Sequence, residues 1–301
     1  MTHRRAIALM VLATLLWSIA GVVTRHLDAA RSFEVTFWRS AFNALALAAM
    51  LGWLRGASLW TDLLRAPPAV WLSGVCWGVM YTAFMVALTL TSVANVLVTM
   101  ALGPVVTALF SRFFLSHRLP LGTWAAIVVA GAGIAWMFGL EAARGGSLIG
   151  SLVACAVPLA GAVNFTLLQR ASQQGQAAAN DMPPAVMIGA LLSALCTLPL
   201  AWPLQASGHD LSLLALLGVV QLAIPCLLVV RVSRVLTAPE IALLALLEVV
   251  FGVAWAWQWG GEQPDGGVLI GGAMVLGALV ANELAALRGN GRMRPAPPSA
   301  R

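Results

Sequence analysis

Long apolar runs, each followed by a short joint that gathers the charge, set the pattern of this 301-residue chain. They fall near residues 6–25, 33–54, 69–90, 93–115, 121–140, 148–169, 183–204, 211–230, 239–259 and 267–287. Each is long enough to cross about 30 Å of hydrocarbon as a helix, which takes roughly 20 apolar residues. The runs are continuous rather than alternating, so they predict helices and exclude a membrane-spanning barrel. The expected fold is all-α and integral to the membrane, with ten transmembrane helices. The tightest joints are Leu90-Thr-Ser-Val93 and Ser116-His-Arg-Leu-Pro120. No small-residue cleavage site follows the first run, which is expected as a retained helix and not a removed signal. The polar, proline-rich residues 289–301 are expected as a disordered cytoplasmic tail.

Composition agrees with the pattern. Apolar residues make up 60% of the chain and charged residues 9%, against about 25% charge in a soluble domain. All 17 basic side chains are arginine, and their placement predicts orientation. With the N-terminus inside, the inner segments hold Arg4, Arg5, Arg55, Arg65, Arg112, Arg118, Arg170, Arg231, Arg234, Arg288, Arg292, Arg294 and Arg301. The outer segments hold Arg25, Arg31 and Arg144, and Arg39 falls within a run. That bias puts both termini in the cytoplasm. The net charge of +6 is explained by this inner rim and implies no nucleic acid. The four cysteines, Cys76, Cys155, Cys196 and Cys226, lie inside the runs, with neither a disulfide framework nor a metal-ligand spacing.

Shifting the chain by 145 residues superimposes its two halves without a gap. Arg25 falls on Arg170, Leu47 on Leu192, Ala49 on Ala194, Leu102 on Leu247, Val105 on Val250 and Gly122 on Gly267. Each run of one half meets a run of the other. Five helices per half is an odd number, so the expected domains, 1–144 and 145–288, cross the membrane in opposite senses. Two inverted five-helix repeats are a recurrent plan of secondary transporters, with the substrate at the midplane between them.

The candidate chemistry centres on Glu248, the one ionisable residue between Glu240 and Glu262. It lies about ten residues into its run, or about 15 Å deep at 1.5 Å per residue. An acid at that depth faces a cavity or a partner. Two roles stay open: contact with a substrate amine or a coupled proton, and a structural ion pair with Arg39. Trp17, Trp77 and Tyr81 fall near mid-span, and the last two share a helix face at their four-residue spacing. Asn164 and Gln221 are amides that need partners in lipid, either a substrate or a neighbouring helix. Gly103-Pro104 interrupts the fourth run, frees the carbonyl near Met100 and serves as a candidate hinge. Gly103 also falls on Glu248 under the 145-residue shift. Trp53, Trp60, Trp71, Trp202 and Trp259 are expected as interfacial anchors.

These residues carry a resemblance. Trp17-Ser18, Arg39, Thr91-Ser92, Gly103-Pro104, Leu247-Glu248 and Gly261-Glu262, in that order and spacing, resemble the drug/metabolite transporter superfamily, in its ten-helix type with two EamA repeats. The resemblance covers residues 6–287. Two positions depart from the family pattern. Val249 stands where a proline commonly follows the acid, and His117-Arg118 stands where glutamate precedes arginine. The first departure removes an expected helix distortion beside Glu248. The resemblance implies a secondary transporter of the bacterial inner membrane, often an exporter, for an amino acid or related amine-bearing metabolite. Membrane lipid and protons are the other expected partners, and no cofactor is implied. An intramembrane enzyme is the competing class, but no Gly-x-Ser-Gly serine or His-Glu-x-x-His pair occurs. A non-transporting scaffold leaves Glu248 and the repeat unexplained.

Overall fold

The structure is a computed structural model that describes residues 1–291 except 25, 31, 57, 92, 116–118, 146 and 260–265. Side chains are described for the same residues less 32, 93–95, 140–145, 256, 283 and 286–291. Arg25, Arg31, Ser92, His117, Arg118, Gly261, Glu262, Arg292, Arg294, Arg301 and the side chains of Arg144 and Arg288 therefore lie outside the described residues.

Among the described residues every regular element is helical. The chain opens with α1 (His3–Ser18) and α2 (Ala20–Thr24), interrupted at Ile19. Next come α3 (Ser32–Arg55), the short α4 (Ser58–Leu64) and α5 (Pro68–Leu90). The fourth run is split into α6 (Val93–Met100) and α7 (Gly103–Phe114), and α8 covers Leu121–Gly145. The second half begins with α9 (Leu148–Gln174), α10 (Gln176–Asn180) and α11 (Pro183–Ala201). It continues with α12 (Gly208–Leu216), a π-helical stretch (Leu217–Ala223) and α13 (Ile224–Val232). It closes with α14 (Ala238–Ala245), α15 (Leu247–Trp259) and α16 (Gly266–Gly291).

Joined across their breaks, these elements make eight helices long and apolar enough to cross a membrane among the described residues, and α3 with α4 makes a ninth if that bent pair is one span. The last expected run lies within α16, where the apolar stretch is the shorter Gly266–Asn282. Local chemistry sets many of the starts. Proline occupies the first turn of α5, α7, α11 and α14, where its missing N–H costs nothing. Ser207 with Asp210 and Thr237 with Glu240 form capping boxes at α12 and α14, which satisfy orphan N–H groups.

Close packing rests on small residues. Gly74, Gly78 and Gly189 let α5 and α11 touch backbone to backbone, and a Cβ on Gly189 would sit 2.4 Å from the Trp77 Cβ. Gly133 and Gly271 do the same for α8 and α16. Small residues at such crossings are how membrane helices gain contact without a hydrophobic drive between them. Polar groups add bonds between helices: the hydroxyls of Ser40 and Thr82 each donate to the Ser193 Oγ at 2.9 Å.

The ninth run breaks at Leu246 although valine, not proline, stands at position 249. Leu246 N–H donates to the Leu243 carbonyl and Val249 N–H to the Leu246 carbonyl, a tightened 3₁₀-type turn that needs no proline.

Candidate functional site

The interruptions converge on one internal cavity of about 140 Å³. That is close to the ~150 Å³ of an engineered cavity able to take up benzene. The cavity lies where α6 meets α7, where α14 meets α15, and beside the π-helical stretch, all three of which contribute lining residues. Broken helices place free backbone groups and helix ends at a site that continuous helices would leave bare.

Most of the candidates from the sequence meet here. Trp17, Arg39, Trp77, Tyr81, Gly103, Gln221 and Glu248 all line the cavity. Two do not. Asn164 is fully buried and its Oδ1 accepts the Ser73 hydroxyl at 2.6 Å, the interhelical bond that was the alternative for this amide. Pro104 is buried at the start of α7 and is not among the lining residues.

Glu248 occupies the first turn of α15, where the positive end of a helix favours a carboxylate. It has neither a hydrogen bond nor an ion pair within 4.0 Å among the described residues, where the ion pair is His3 with Glu240 at 3.4 Å. Arg39, 3% exposed, lines the same cavity without closing on Glu248. Its Nη2 donates to the Tyr81 carbonyl at 3.5 Å, and its Nε has no partner. An acid and a guanidinium thus face one space without forming the direct pair raised as an alternative.

Aromatic and amide groups complete the wall. Trp77 stacks on Tyr81 with ring centroids 5.8 Å apart, and its buried indole N–H is unpaired. The Tyr81 hydroxyl donates to Cys226 Sγ at 3.2 Å. Gln221 lies within the π-helical stretch and donates from Nε2 to the Trp17 carbonyl at 3.2 Å, leaving Oε1 free. π-Helical turns are frequent at functional sites because they re-aim one side chain. Trp255 Nε1 donates to the Ser18 hydroxyl at 2.8 Å, which ties α15 to the end of α1.

Several lining residues were not singled out from the sequence. Pro158 and Gly161 of α9, Thr107 of α7 and Cys226 of α13 contribute. Pro158, inside an apolar run, carried the one signal that would have found them, since proline in a helix marks a distortion. Among the described residues no cluster of three or more His, Cys, Asp or Glu could hold a metal.

The architecture defines a multi-pass helical membrane protein with a charged internal cavity. Residues 4–139 match the model of the EamA-like transporter family. The chain is also similar to the pseudopaline exporter CntI of Pseudomonas aeruginosa. It is 23% identical over 282 residues to the proteins of strains UCBPP-PA14 and PAO1, covering 92% of this chain and 95% of each relative. A crystal structure of another protein matches the fold with a TM-score of 0.79 at 23% identity, over 95% of this chain and all of that one.

Proposed function

We propose that the chain is a secondary transporter of the bacterial inner membrane, an exporter of a small amine-bearing metabolite such as an amino acid, working by alternating access. The observation that carries this reading is Glu248, a carboxylate without a direct partner at a helix break, facing an internal cavity that also holds Arg39. Glu248 is the central polar group, Trp17, Trp77, Tyr81 and Gln221 form the solute's wall, and Gly103-Pro104 is the hinge. The similarity to a metabolite exporter along nearly the whole chain supports the direction, and the transporter family match over residues 4–139 supports a carrier over an enzyme.

Ten spans in two inverted repeats belong to the same proposal. The break at Ala101–Leu102 and the break at Leu246 stand 145 and 144 residues apart, matching the sequence shift. Tyr81 and Cys226, 145 residues apart, are equivalent positions of the two halves and touch each other. Equivalent residues that touch lie close to the axis an inverted repeat would have, and in such carriers the solute sits at the interface between repeats. The pairing of α5 with α9 also has its counterpart in the pairing of α13 with α1.

Purified protein would first be screened for thermal shift against amine-bearing metabolites. Stabilising compounds would then be tested for flux in liposomes, with and without a proton gradient. Flux of a stabilising amine that responds to the gradient supports the reading; binding without flux favours a non-transporting role. For orientation, a reporter active only outside the cytoplasm should be silent when fused after Arg288 and active when inserted near Gly208.

A further inference from the structure

A second pocket lies away from the central cavity, at an elbow near the joints α4–α5 and α10–α11. Helix α4 leaves α3 at 109°, so with α3 crossing the bilayer α4 runs along its surface. Leu59 anchors α4 inward and is fully buried, while Trp60 and Leu64 are 53% and 81% exposed. Beside them, on the last turn of α3, Trp53 and Leu54 are exposed as well. This is the arrangement of an interfacial segment with indoles at headgroup depth.

The pocket, about 210 Å³, is lined by Arg55, Asp62, Arg65 and Asp181 with Pro67 and Pro184. Arg55 donates from Nη2 to the Asn180 carbonyl. Asp62, Arg65 and Asp181 have no ion pair or side-chain hydrogen bond among the described residues. Two guanidiniums and two carboxylates therefore face one small space without neutralising one another. A ligand complementary to that set carries a phosphate and an ammonium a short distance apart. We propose that the pocket holds the headgroup of a phosphatidylethanolamine lipid. The phosphate lies on Arg55 and Arg65, the ammonium on Asp62 and Asp181, and the acyl chains pass along Trp53, Leu54, Trp60 and Leu64. Guanidinium binds phosphate through charge-assisted hydrogen bonds. A primary ammonium gives three N–H donors to the carboxylates, whereas a quaternary choline gives none and a phosphatidylglycerol leaves both acids unmatched. The proposal requires only that the chain be membrane-embedded and stands apart from the transport reading.

The test is native mass spectrometry of the full chain in detergent, with phosphatidylethanolamine, its mono- and dimethylated forms, phosphatidylcholine and phosphatidylglycerol of identical acyl chains. The wild type should retain one phosphatidylethanolamine about tenfold more strongly than phosphatidylcholine, a difference of about 1.4 kcal/mol, with the methylated forms graded between. The combined Asp62→Asn, Asp181→Asn change should remove the preference and leave residual binding of all the lipids. Arg65→Gln should weaken every lipid. Lipid-free melting of each variant reports folding, and the methylation series on the wild type decides the matter if a variant does not fold. Equal retention of all lipids, stronger retention of phosphatidylglycerol, or a preference that survives in the double variant would each overturn the assignment.

Discussion

Gly189→Ala tests whether the α5–α11 contact shapes the cavity. The added Cβ would lie 2.4 Å from the Trp77 Cβ, 2.8 Å from the Gly74 carbonyl oxygen and 2.9 Å from the Gly78 nitrogen. Two of these atoms are backbone and the third is the root of a side chain, so none can swing aside. Ordinary contact begins near 3.4 Å, so the two helices must separate by about 1 Å. Overpacking of this kind costs about 1–3 kcal/mol. Replacing glycine with alanine inside a helix returns about 1 kcal/mol, leaving a net loss of up to about 2 kcal/mol. The displacement also moves Trp77, its stack on Tyr81 and the cavity wall they share. Gly277→Ala in α16 is the control, because a Cβ there meets nothing within 4 Å. It should be neutral or stabilising by up to about 1 kcal/mol. Unfolding in detergent, followed for both variants and the wild type, compares them directly. If Gly189→Ala melts with Gly277→Ala, or above the wild type, the close approach of α5 and α11 is not what positions Trp77.

Two further changes probe a pair of facing loops and the cavity wall. The Asp210 carboxylate accepts backbone N–H groups from Asp28, Ala29, Ala30 and Ser207 at 2.8–3.2 Å, and Glu34 accepts those of Gln205 and Ala206, so each carboxylate binds the loop of the other. Asp210→Asn turns one acceptor into a donor facing donors, and should lower the melting temperature and speed proteolysis at residues 26–30. Unchanged proteolysis would mean the two loops are held by other contacts. Tyr81→Phe loses only the hydroxyl bond to Cys226, should cost no more than about 1 kcal/mol, and should alter flux of a transported solute more than folded yield. A loss of fold with normal flux per folded molecule would make Tyr81 a packing residue.

Much of this was legible in the sequence because the bilayer leaves few choices. A span must satisfy its backbone internally, so an apolar run about twenty residues long becomes a helix. Counting along the runs placed Glu248 at a level with Trp17, Trp77 and Tyr81, and all four line one cavity. The face each helix turns inward was less legible. These helices are apolar nearly all round, so periodicity separates cavity from lipid poorly; Asn164 and Gln221 looked alike, yet one bonds Ser73 and the other lines the cavity. The break at Leu246 has no local signal, since neither glycine nor proline marks it. The carboxylate clasp of Asp210 and Glu34 was also hidden, because both acids sit near expected run ends where charge is ordinary.

The most direct measurement is solute flux and its pH dependence in liposomes with Glu248→Gln. The substitution keeps the shape and hydrogen-bonding capacity of the side chain but removes its charge and its proton. Breaking a buried ion pair would cost about 3–5 kcal/mol, but Glu248 makes no direct pair with Arg39, so the variant should fold and melt close to the wild type. With Glu248 as the central group of the transport site, the folded variant loses most net flux and whatever pH response the parent has. Full flux with an unaltered pH response from a well-folded Glu248→Gln protein would contradict that role.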